Sequence, residues 1–468
     1  MVDQDLALLA HLLRRAGFGA TRDELEAYAA QGYAATVEAL LHPEQAPEVA
    51  EDVVCRYYSL GGLMEDSMAV WQGRWLYRMI NTPRPLQEKM ALFWHGVFAT
   101  GWHKSEHTPS MALQIDLFRR NGLLDIKTIL LDLSRDPAML DWLDNSENHK
   151  DAPNENYGRE LLGLFSMGVG NYSETDIKMA ARAFTGWTYA QPIPLYPYGF
   201  YPSHFVYRPD DHDPGVKTFL GKTGRFDGED IVEAIVKKPA TAKFLARHLY
   251  NFFVTDEPPV PSWHQTPPQD PQAITTLTQA YFDTGGNLRA MLRVLFNSAF
   301  FKAARFQKVK SPAELVASTM KLVGTYSFPE PGMLALASAS TAMGQSLLNP
   351  PTVEGWHTGK EWIDGGTLNE RVNFAVNEFA DVTRPGVQAI ITRLSSLGDT
   401  LTPDALVEHC LDLMGGLRVG DSTRLVLLRA AQRDGDLCFD TPEARQASAL
   451  RIGRVLQLLV ASKEYQFA

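Results

Sequence analysis

Apolar residues recur at helical spacing along most of the chain, while strand-like alternation is confined to one stretch. Residues 5–16 form an amphipathic helix stopped by Gly17 and Gly19. The tetrad TRDE at 21–24 reads as a capping box that opens a second helix, and Gly32 separates this from a third ending near Leu41. Further helices are predicted at 68–80, 86–100, 110–120, 126–133 and 137–143. Between 188 and 225 the texture changes to Tyr, Pro and Gly with short alternating runs, HFVYR at 204–208 and KTFL at 217–220. These predict a small β-hairpin or ribbon, with PDDHDPG (209–215) between its arms. Helical patterning then returns, interrupted by TDEPPVPSWHQTPPQDP (255–271), a linker-like loop, and by an irregular aromatic segment at 349–367. The fold class expected is mainly α, a multi-helix bundle with the β insertion around 188–225. Its expected organisation is an N-terminal helical module (1–65), a central core (66–380) and C-terminal helices (381–468) packed on that core as one continuous unit.

The chain is organised around residues 154–187, NENYGRELLGLFSMGVGNYSETDIKMAARAFTGW, which read as two helices joined by a glycine turn. Tyr157, Leu161, Leu164, Phe165 and Gly168 share one face of the first helix. Glu160 lies at the edge of that face, and Glu155 and Arg159 fall opposite it as an i,i+4 ion pair. Gly168 and Gly170 end the first helix, and Ser173 with Asp176 caps the second. A carboxylate at a core edge is costly unless something pairs with it, so Glu160 asks for a partner.

Composition narrows the function classes. The chain of 468 residues carries a net charge of −11 and has no Lys/Arg-rich run, which argues against nucleic acid as a partner. Cys55, Cys410 and Cys438 are scattered and form no CxxC, so neither a disulfide framework nor a cysteine zinc site is expected. No transmembrane run is visible, and MVDQDLALLAHLLRRAGFG lacks the pattern of a secretion signal. As given, the chain reads as cytoplasmic, or as periplasmic or secreted if a leader was removed.

Candidate chemistry gathers at a few positions. In LQEKMALFWHGVFAT (86–100) the helix is apolar on both sides of His95, which predicts a buried histidine; His11 reads instead as a helix-surface residue. Asp210, Asp211, His212 and Asp213 crowd one turn with oxygen and nitrogen donors. One expectation joins these groups into an enzyme site: His95, Glu160, His212 and Asp213 holding one divalent metal (zinc, manganese or iron), with Asn156, Arg159 and Arg182 as the polar surround. A metal-bound water would then act in hydrolysis, or an open position on iron would take dioxygen. Without metal, Glu160 and His95 would serve as an acid–base pair. GxSxG, Walker and HExxH motifs are absent. The other expectation is a binding or assembly protein, in which aromatic segments at 188–207 and 352–363 form a cleft for a small molecule, glycan, peptide or protein partner.

Several ordered stretches resemble a bacterial family named only as domain of unknown function 1800. They include HLLRRAGFGAT, FWHGVFAT, the 154–187 hairpin, HDPGVKTFLGKTGRFDGEDIV, PATAKFLARHLYNFFV, KVKSPAELV, GWHTGKEWI with NERVNFA, and LLVASKEYQ. The resemblance runs nearly end to end and implies no agreed activity. Many relatives carry WHxHF where Val97 stands here, and proline in a GWPGG-like segment where His357 and Thr358 stand. A metal site relying on that second histidine would lack it in this chain. Relatives often carry a secretion signal and have an accompanying phosphatase-like protein.

Overall fold

The computed structural model describes residues 2–57, 67–193, 201–330 and 332–468. The 65/66 border of the N-terminal module and residues 194–200 of the insertion lie outside the described residues. Twenty-four α-helices and three two-stranded antiparallel sheets are present among the described residues, so the protein is mainly α. No helix there is long and apolar enough to cross a membrane.

Local signals set the helix ends. Thr21 and Glu24 make the expected capping box of the Arg22–Gln31 helix, as Ser173 and Asp176 do for Glu174–Ala183. Gly168 (φ 78°) and Gly170 (φ 91°) take left-handed backbone conformations in the turn between Asn156–Gly163 and Glu174–Ala183, where a side chain would be strained. Tyr157, Leu161 and Phe165 are buried on the shared face, and Gly158 packs directly on the second helix, where an added Cβ would lie 3.2 Å from the backbone of Ala181 and Ile177.

Two helices are buried almost all round and carry the middle of the molecule. In Pro85–Val97 every side chain from Glu88 to His95 is buried, and in Pro312–Val323 every residue from Pro312 to Met320 is. The first packs against Thr108–Asn121, and the second against Met68–Asn81, Gly365–Ala380 and Pro385–Ser395. Buried apolar residues from Leu6 to Tyr465 form one connected cluster.

Three expectations need correction. The two alternating runs in the insertion do not pair with each other. Trp187–Ala190 pairs with His204–Tyr207, and Lys217–Phe219 turns back on Lys222–Gly224 through Leu220 (φ 46°) and Gly221 (φ 83°). The alternation was real, but each run closes its ladder on a nearer partner. His11 is fully buried rather than on a surface, because its helix is covered on that side by Phe301, whose carbonyl lies 2.9 Å from Nε2. The 255–271 segment is no free linker: Arg247 donates to Glu257 through Nε and Nη2 (2.8 and 2.6 Å) and to the carbonyls of Thr266 and Pro267. Asn251 accepts from the Glu257 amide at 2.8 Å, and Lys308 pairs with Asp256 at 2.8 Å.

Candidate functional site

The buried face of Pro85–Val97 borders a pocket of about 270 Å³. Leu92, Phe93, Gly96 and Val97 supply one wall, and His248, Asn251 and Phe252 of the Pro239–Phe253 helix another. The irregular segment at 351–362, with Trp356 and Trp362, closes over them, and Pro259 and Val260 of the former linker complete the rim. Lys308, Ser311, Glu314 and Gln345 form its floor.

The covering segment is held by specific bonds rather than by apolar contact alone. Gln72 donates to the Leu347 carbonyl at 2.6 Å, the Trp102 amide to the Leu348 carbonyl at 3.0 Å, and the His103 amide to Asn349 Oδ1 at 3.0 Å. The Leu348 amide donates to Nε2 of His95 at 3.0 Å. Farther along, Gly355 (φ 87°) lies against the helix so closely that an added Cβ would stand 2.6 Å from the Gly96 carbonyl oxygen.

Charge on the floor is paired by construction. Ser311 caps the Pro312–Val323 helix, and Glu314 closes the capping box by accepting from the Ser311 amide at 2.8 Å. The same carboxylate pairs with Lys89, which is fully buried in the Pro85–Val97 helix. Burial would raise the Glu314 pKa, but Lys89 and Lys308 outweigh it and hold the group down at about 2. Beneath His95, Glu88 is likewise buried and accepts from Arg119 (2.6 Å), Arg78 (2.9 Å) and Trp75 Nε1 (3.0 Å).

The residues expected to form one site fall into separate surroundings. His95 is buried between Trp75 and Trp356, with ring centroids 5.7 and 5.0 Å away, and burial pushes its pKa down to about 3. Because Nε2 accepts a bond, the ring proton sits on Nδ1, which has no partner among the described residues. Glu160 lies one helical turn before Leu164 of the pocket wall, and its carboxylate receives no hydrogen bond from a described residue. Burial raises its pKa, Arg159 opposes this, and Glu354 at the pocket rim adds to it. Asn156 donates to Asp144 at 3.1 Å, and Arg159 is taken up by Glu155 and Glu174 on the surface.

The acidic turn serves as a clasp. His212 Nδ1 lies 3.0 Å from the Thr185 carbonyl, and the Asp213 amide donates to Thr185 Oγ1 at 2.8 Å. Asp213 pairs with Arg182 at 2.6 Å, and Asp211 with His149 at 2.5 Å. Arg182 and Asp213 are thus brought together, but to satisfy each other. Among the described residues no group of three or more His, Cys, Asp and Glu side chains is placed to hold a metal ion, so the proposed four-residue ligand set is not assembled.

Sequence reasoning passed over Lys89, Lys308, Glu314, Gln345 and Asn251. One signal was available: SPAE at 311–314 is a capping box that follows Lys308 and Lys310 and opens an apolar run, which sets an acid close to two cations at a helix start. No curated protein and no solved structure matches the chain. Its family does match, over the segments that build this pocket as over the rest: the chain belongs to the family described as protein of unknown function DUF1800, whose model covers residues 11–467.

Proposed function

We propose that this protein binds a compact ligand with an apolar body in the pocket between Pro85–Val97, Pro239–Phe253 and the 351–362 segment. The observation that carries this reading is a pocket of about 270 Å³ with Phe93, Phe252, Trp356 and Trp362 in its walls and charged groups confined to floor and rim. That volume sits near the lower end of small-molecule sites, roughly 300–1,000 Å³. Of the two aromatic segments expected to make a cleft, 352–363 supplies the wall, whereas no described residue of 188–207 lines the pocket. Metal-dependent hydrolysis or oxidation draws no support from His212 and Asp213, which are engaged by Thr185 and Arg182.

Gly96 provides the test. An added Cβ at this position meets nothing within 4 Å, so a large side chain can enter the pocket without disturbing the helix. Binding of indole and phenol is followed by ligand-observed NMR and by tryptophan fluorescence. The expected result is binding to the wild type and loss of both probes in Gly96→Phe at unchanged melting temperature. Equal binding to both proteins would place the probes elsewhere and overturn the reading.

A further inference from the structure

We infer that the pocket floor is an anion subsite that receives the carboxylate head of a monoanionic ligand whose apolar body lies between the aromatic walls. This rests on the pocket reading above, and two independent observations lead to it.

The first is charge. Lys89, Lys308, Arg15, Lys310 and Arg371 are all buried around Glu314. Among the described residues only two carboxylates, Glu314 and Asp256, pair with cations of this group, through Lys89 and Lys308. The other three cations bond to neutral acceptors: Arg15 to the Ala304 carbonyl (3.1 Å), Lys310 to the Tyr465 carbonyl (2.9 Å), and Arg371 to the Lys310 carbonyl (2.7 Å) and Gln466 (2.8 Å). Nε and Nη1 of Arg15 and Nη1 of Arg371 are buried with no partner among the described residues. Buried charges are normally paired, because leaving water is costly. Among the described residues, five cations against two paired anions leave the surroundings of Glu314 short of negative charge, and of the five Lys308 reaches the pocket lining. The strain shows in Lys310, whose pKa is pushed down to about 7 by burial and then by Arg14 and Arg371.

The second is the orientation of two amides. Gln345 is 3% exposed and Asn251 is 9% exposed, and both line the pocket. Gln345 Oε1 accepts from the Ala313 amide at 2.9 Å and Asn251 Oδ1 from the Glu257 amide at 2.8 Å. A backbone N–H can only donate, so neither amide can flip. Gln345 Nε2 and Asn251 Nδ2 are therefore held as donors, with no acceptor among the described residues. Gln345 on the floor and Asn251 on the wall offer two fixed N–H₂ groups to a pocket that Lys308 also lines, a donor set that suits an oxyanion. Glu354 and Glu361 at the rim are exposed, the latter 3.0 Å from His357, and they give a second anionic group nothing to bind.

The test is calorimetric titration of the full chain with phenylpropionate, phenylpropanol, phenylpropylamine and acetate. Wild type is compared with Gln345→Glu and Asn251→Asp, which keep the pinned oxygen and replace the N–H₂ donor with an anionic oxygen. Phenylpropionate is expected to bind roughly tenfold or more tighter than the alcohol or the amine. Each variant should cut that affinity by about tenfold or more while binding the alcohol within about twofold of wild type, which also shows the variant folded. Equal affinity for carboxylate and alcohol overturns the anion subsite and leaves the pocket reading standing. Acetate binding as tightly as phenylpropionate assigns the floor to a free small anion and overturns the ligand-head assignment. Failure of all the phenylpropyl probes to bind wild type overturns both readings.

Discussion

His95 Nε2 accepts the backbone N–H of Leu348 at 3.0 Å, and Leu348 stands at φ 63°, a left-handed conformation unusual for a residue with a side chain. The histidine that most resembled a catalytic group in the sequence is thus a fastener. It holds a strained residue at the start of the segment that covers the pocket, and its neutral ring is what makes the bond possible.

Replacing this fastener should loosen the cover. His95→Leu leaves the Leu348 amide buried without an acceptor, at a cost of about 1–3 kcal/mol. Urea denaturation is expected to show that loss, together with weaker binding of indole. An unchanged midpoint would mean that the amide finds another partner and that His95 only fills space.

Acid should destabilise the fold at a pH well above the carboxylate range. Burial chiefly holds His95 and His248 down at about 3 and His11 at about 2, whereas burial raises Asp136 to about 7. Below the ordinary histidine pKa of about 6.5, the unfolded chain takes up three protons that the native protein refuses; Asp136 works in the opposite sense and returns one. Stability is therefore fully present above about pH 6.5 and falls as pH drops toward the folded values. The net of about two protons gives a slope on the order of 3 kcal/mol per pH unit near pH 5. Denaturant midpoints measured from pH 8 to pH 5 would contradict this if they stayed level.

The two glycines that touch across the pocket should respond in opposite directions. Gly96→Ala adds a Cβ into open space within a helix and should stabilise by roughly 0.5–1 kcal/mol. Gly355→Ala places a Cβ 2.6 Å from the Gly96 carbonyl at φ 87° and should destabilise by at least about 1 kcal/mol. Thermal unfolding of the two variants side by side reads the sign of each.

A similar contrast separates the two glutamates. Glu314→Gln strands Lys89 in the core and should cost about 3–5 kcal/mol, the usual penalty for breaking a buried pair from one side. Glu160→Gln removes a carboxylate that accepts no hydrogen bond from a described residue, and should change stability by no more than about 0.5 kcal/mol. A large loss in Glu160→Gln would restore it to the structural role expected of a core-edge acid.

Much of the local structure could be read from residue order, because the forces involved act over three or four positions. The capping boxes at Thr21 and Ser173, the left-handed glycines at 168 and 170, the burial of Tyr157, Leu161 and Phe165, and the Glu155–Arg159 pair stand as expected, although the two helices close earlier than expected, at Gly163 and Ala183, and Trp187 opens a strand. So does the burial of His95, which followed from a helix apolar on both sides. Partners distant in the chain were another matter. Lys89 meets Glu314 across 225 positions and His95 meets Leu348 across 253, and periodicity carries no information about which helices become neighbours. The acidic turn at 209–215 illustrates the difference: its composition suggested metal ligands, but packing set Thr185 and Arg182 beside it, and hydrogen bonding to them took up His212 and Asp213. Residue spacing alone determined that this would be a helical protein with a small inserted ribbon and a buried His95. Only the tertiary structure decided where its pocket lies and which charges sit beneath it, because those depend on desolvation and contact between elements that the chain order keeps apart.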